Sequence, residues 1–193
     1  MKPTAAMRSM LALALLVAAL ASGCGTDEEA PPRARTAQQW ADRVVDRFLR
    51  DMNRDLDAVN KLNNLHVRLY LESGTQETVE VLETRLNDLA ECSSKLERVG
   101  PPPEAAPPDV RRPLERVHTS FTRACVQYER LAELLLEALP LVASDDEDEK
   151  RQGRELFTEA RRPSERAAFH YGRALDIASR QPAFRAAGLQ GSG

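Results

Sequence analysis

Three cysteines (Cys24, Cys92, Cys125) and three histidines (His66, His118, His170) are the side chains of this 193-residue chain best suited to covalent or metal chemistry. Cys24 closes the stretch Leu20-Ala21-Ser22-Gly23-Cys24, whereas Cys92 and Cys125 each have apolar residues three and four positions away. No CxxC pair is present, so catalysis of thiol exchange is not expected. Cys92 and Cys125 are expected to form a disulfide between successive helices, the alternative being two buried free thiols. His118 and His170 lie near Glu115 and Glu165 and could share a level on neighbouring helices, the arrangement from which bundle metal and haem sites are built. Neither His-Glu-x-x-His nor CxxCH occurs, so the expectation is structural histidines with no metal and no cofactor; His118 and His170 are the pair a metal site would use. The run Asp145-Asp146-Glu147-Asp148-Glu149 lacks the glycine and the spaced ligands of a calcium loop and reads as the acidic start of a helix. Asn63 and His66, with Asn60 and Asn64 beside them, read either as a polar pocket or as a register-setting contact. Without a G-x-S-x-G nucleophile motif or a glycine-rich phosphate loop, no enzyme is expected.

The context of Cys24 is more specific. Lys2 and Arg8 precede an apolar run from Met10 to Ala21. That run falls well short of the roughly 20 residues a membrane-spanning helix needs. A charged start, a short apolar core and a small-residue exit describe an export signal. The segment resembles the signal of bacterial lipoproteins: Gly23 and Ser22 are small, and Leu20 stands one position before the place where leucine is usual, which is held by Ala21. The resemblance implies removal of residues 1–23, a diacylglyceryl group on the Cys24 sulfur, and acylation of its new amine by a chain such as palmitate. Each buried methylene contributes about 0.8 kcal/mol and one chain alone anchors only marginally, so two or three chains hold a protein firmly. The implied partner is therefore a membrane, and the implied location is the exported side of the cell membrane or outer membrane. Gly25 stands where an inner-membrane retention aspartate would be. The alternative is an ordinary secretory signal cut after Ala19-Leu20-Ala21, releasing a soluble protein.

Composition agrees with export. Lipidation of Cys24 leaves Cys92 and Cys125 as an even pair, and exported thiols tend to be oxidised. Of 27 basic and 30 acidic residues, only Lys2 and Arg8 fall within the signal, so the remaining chain is mildly acidic. Acids and bases are interspersed, which argues against a nucleic-acid partner.

Helices must position these residues. Residues 24–35 read as a flexible tether that spans at most roughly 35 Å. Residues 36–180 read as one all-α domain, an elongated up-down-up-down antiparallel four-helix bundle. The spacing of Val45, Leu49, Met52, Leu56, Val59, Asn63, His66 and Tyr70 predicts a first helix from Thr36 to Glu72, widened by Trp40, Val44 and Phe48 and stopped at Gly74. A second helix is predicted from Gln76 to Val99, with Leu82, Leu86, Leu89, Cys92 and Leu96 on its apolar side and Gly100-Pro101 as its end. The third begins between Asp109 and Pro113 and reaches Val142, burying Leu114, Phe121, Cys125, Tyr128, Leu131 and Leu135. Ser144 and Glu147 have capping-box spacing for a fourth helix that runs to Arg180 with a kink at Pro163. Gln181-Pro182 should stop it, leaving 181–193 as a disordered tail. The functional expectation is a lipid-anchored envelope protein with a structural, interaction or sensor role. The alternative is a lipoprotein that binds a small ligand or metal in the bundle core.

Overall fold

The computed structural model describes residues 34–62 and 76–189, and every regular element among them is helical. No helix among the described residues is long and apolar enough to cross a membrane. The export signal, nearly all of the 24–35 tether and the second half of the first predicted helix, with Asn63, His66 and Gly74, lie outside the described residues.

The first helical run opens where the Thr36 hydroxyl accepts the Gln39 N–H at 3.1 Å, leading into α1 (Ala37–Arg43). A π-helical turn (Val44–Leu49) follows without a break and leads into α2 (Arg50–Leu62). Leu49, Met52 and Val59 of the expected seam are buried, as are Trp40, Val44 and Phe48, the residues expected to widen it, while Val45 and Leu56 are only half-buried. Repeated steps of four drift about 40° each around a helix of 3.6 residues per turn. A turn that closes i→i+5 takes up an extra residue and counters that drift.

The second predicted helix is interrupted. α3 (Gln76–Ala90) and α4 (Cys92–Val99) are separated by Glu91, whose φ of −92° and ψ of 15° leave helical geometry. Gly100 ends α4 at φ +79°, a conformation a glycine adopts without steric cost. Pro102 and Pro103 of the linker are buried.

α5 (Pro108–Ala143) starts on proline at its first position, where the missing N–H is no loss. α6 (Glu147–Ser179) is capped by Asp146 rather than by the expected Ser144: the Asp146 carboxylate accepts the N–H groups of Asp148 at 2.8 Å and Glu149 at 3.1 Å. Glu147, Asp148 and Glu149 then lie in the first turn, where the helix dipole favours acids. The two long helices form an antiparallel hairpin. Near its loop they approach so closely that a Cβ added to Gly153 would lie 2.7 Å from Val142 Cγ2. Farther along, Tyr171 of α6 meets Phe121 and Tyr128 of α5, with ring centroids 5.5 and 6.0 Å apart.

The remaining helices pack on this hairpin. α3 and α4 lie on α5, α2 lies on α3, and the π-helical turn lies on α4. Phe48 joins the ring ladder through Phe121 at 5.0 Å, and the Tyr171 hydroxyl donates to Asn53 Oδ1 at 3.2 Å. The chain end departs from expectation. Residues 182–186 form α7 (Pro182–Ala186), and Phe184 is fully buried with its ring edge-on to Trp40 at 5.7 Å. The expected tail from 181 is thus ordered through Leu189, because one aromatic side chain finds a closed site; residues 190–193 lie outside the described residues. Ala34 is likewise buried, so the 24–35 tether ends before its last two residues.

Candidate functional site

The interruption at Glu91 builds the most concentrated polar site. A regular helix would satisfy the Asp88 carbonyl from the N–H four residues on. Here it accepts the Glu91 N–H at 3.3 Å and also the Lys95 ammonium. The same ammonium donates to Asp55 Oδ2 at 2.7 Å. Asp55 is fully buried and Lys95 is 7 % exposed. Around them, Arg54 Nε lies 3.3 Å and Arg85 Nη1 3.6 Å from Asp55 Oδ1, and Arg85 also reaches Asp88 at 3.3 Å. Three cations and two carboxylates from α2, α3 and α4 thus close on one another. Both Asp55 oxygens already accept from cations, so the group locks three helices in register rather than offering an open carboxylate to a ligand.

The break frees an N–H as well. Ser93 N–H donates to Glu129 Oε1 of α5 at 2.7 Å. Beside it, Cys92 and Cys125 are joined, with S–S 2.07 Å and Cα–Cα 5.0 Å.

The histidines do not converge on a metal. His118 turns its ring to Trp40, 6.3 Å between centroids, and burial lowers its pKa below the ordinary imidazole value. Glu115 has Glu-x-x-His spacing with it but bridges Arg111 at 3.3 Å. His170 rests against the exposed ring of Phe169 at 5.3 Å. Among the described residues no three His, Cys, Asp or Glu side chains come close enough to hold a metal ion. The acids 145–149 are exposed and serve the start of α6. Burial also raises the Tyr128 phenol to about 12 and raises Tyr171 further, with Tyr128 adding to the effect on Tyr171.

Asp55 and Lys95 are absent from the residues singled out by sequence. A signal existed: Asp55 lies three residues after Met52 and four before Val59, on the side the seam buries, and Lys95 lies three after Cys92. Cys24 and His66 lie outside the described residues. No protein family, no curated protein and no solved structure matches this chain.

Proposed function

We propose that this chain is a lipid-anchored protein of the bacterial cell envelope, held on the exported side of the cell membrane or outer membrane through acylated Cys24. The observation that carries this reading is the run Leu20-Ala21-Ser22-Gly23-Cys24 behind a charged and then apolar start. Support comes from the cysteine count. With Cys92 bonded to Cys125, Cys24 is the odd thiol, and an exported protein needs a use for it. The domain behind the tether is non-enzymatic in this reading and acts by presenting a rigid helical surface in a structural, interaction or sensor role. Its finer arrangement is an up-down-up-down four-helix bundle made of residues 37–62, 76–99, 108–143 and 147–179. Metabolic labelling with a fatty-acid analogue tests the anchor. Labelling of the wild type that disappears in Cys24→Ser is the expected result; equal labelling of the variant overturns it.

A further inference from the structure

The exposed seam between α5 and α6 changes character along its length. Arg130 of α5 bridges Glu159 of α6 at 3.3 Å, which marks where the outer edges of the two helices meet. Steps of seven residues, about two helical turns, keep to the same edge. From Arg130 they lead to Arg123 and Arg116, and from Glu159 to Arg166 and Arg173. Because the hairpin is antiparallel, both series run the same way, away from the connecting loop. The four arginines are exposed, and none has an ion-pair or hydrogen-bond partner among the described residues. A balanced pair thus gives way to cation beside cation, an arrangement that an approaching anion relieves. Two of the three large apolar side chains that are exposed among the described residues flank the same arginines. Phe169, 64 % exposed, lies between Arg166 and Arg173, and Val126, 53 % exposed, follows Arg123 by one turn.

The start of the described domain lies in the same half. His118, between Arg116 and Arg123 on α5, packs on Trp40 near the start of the domain. Ala34 comes ten positions after Cys24. Fully extended, that stretch spans at most about 36 Å. We propose that this arginine seam, with Phe169 and Val126, docks on an anionic phospholipid surface, so that the domain lies on the membrane with a defined side down. The proposal rests on the lipid-anchor reading. Anionic membrane surfaces attract clustered arginines by about fivefold in affinity for each, and an aromatic ring beside them suits the headgroup boundary.

Arginine footprinting tests it on the full-length processed protein. Phenylglyoxal modification is mapped by mass spectrometry in phosphatidylcholine vesicles and in vesicles with about 30 % phosphatidylglycerol. Arg116, Arg123, Arg166 and Arg173 are expected to react about fivefold or more slowly in the anionic vesicles, and to recover in about 0.5 M salt. Arg50 and Arg151, outside the seam, should react alike in both. Equal reactivity of the four in the two vesicles overturns the proposal. Protection of Arg50 and Arg151 to the same degree also overturns it, as does equal protection of the four by soluble poly-glutamate. Failure of the anchor reading shows separately, as absence of fatty-acid label together with no flotation on neutral vesicles.

Discussion

Replacing Lys95 with methionine removes the ammonium that joins Asp55 to the Asp88 carbonyl while keeping most of the aliphatic stem. An exposed ion pair contributes at most about 1 kcal/mol, whereas removing one partner of a buried pair costs about 3–5 kcal/mol. The burial of Asp55 and Lys95 places this pair in the second class. Arg54 and Arg85 stay 3.3 and 3.6 Å from Asp55 Oδ1, but their side chains are 52 % and 31 % exposed, so solvent screens their help. Asp55 Oδ2 loses its donor and the Asp88 carbonyl keeps only the long Glu91 contact. The expected loss is therefore near the lower bound, about 3 kcal/mol. In urea unfolding followed by circular dichroism with the disulfide intact, that is a fall of about 1.5 M in midpoint for a slope of ~2 kcal/mol/M. Adding Asp55→Leu removes the stranded carboxylate and leaves Arg54 and Arg85 facing Asp88, so the double variant should be no less stable than the single one. A Lys95→Met variant within about 0.5 kcal/mol of wild type at unchanged slope would refute the argument. So would a double variant whose loss equals the sum of both single losses.

Other outcomes follow from separate features. Reducing the Cys92–Cys125 bond, which closes a separation of 33 residues, should lower stability by about 2–4 kcal/mol, read as a fall in the urea midpoint with dithiothreitol. Gly153→Ala should destabilise, because overpacking against Val142 costs about 1–3 kcal/mol and outweighs the gain in helix propensity. Gly172→Ala, where a Cβ meets nothing within 4 Å, should stabilise the same helix. Its gain is about 0.5–1 kcal/mol, and paired thermal melts of the two variants separate the cases. Phe184→Ala should expose one face of Trp40, the sole tryptophan, and red-shift its emission; an unchanged spectrum contradicts the docking of α7. The folded-state pKa of His118 is lowered by burial, so the folded chain resists protonation more than the unfolded one. Its contribution is present above the ordinary imidazole value of about 6.5 and is lost as pH falls below it. His118→Phe should therefore flatten the fall in urea midpoint between about pH 7.5 and 5.5.

Helix content and most of the core were legible because they depend on local periodicity. Leu82, Leu86, Leu89, Leu114, Phe121 and Leu135 are buried where their spacing placed them. The pairing of Cys92 with Cys125 followed from counting thiols on the expectation that the chain is exported. Features set by partners distant in sequence were not legible. Phe184 sits in a polar, glycine-rich end and becomes core only because Trp40 packs against it. Asp55 and Lys95 are 40 residues apart; their spacing from Met52 and Cys92 hints at burial, but their pairing shows only once both are placed. Gly153 reads as a weak point in a helix until Val142 is seen against it. The cap at Asp146 in place of Ser144 is a shift of two residues that competing oxygen acceptors decide.

Glu91, the one residue between α3 and α4, also leaves α4 as a short helix of its own. α4 has eight residues, far below the length at which a helix is stable alone in water. It is bonded sideways to α5 through Cys125 and Glu129, while Lys95 reaches back to α3 and across to α2. Slow amide exchange should therefore extend through α4 together with the hairpin, and reduction of the disulfide should speed exchange in α4 first. What reads as one continuous helix thus contains a short segment whose order rests on its sideways bonds to α5.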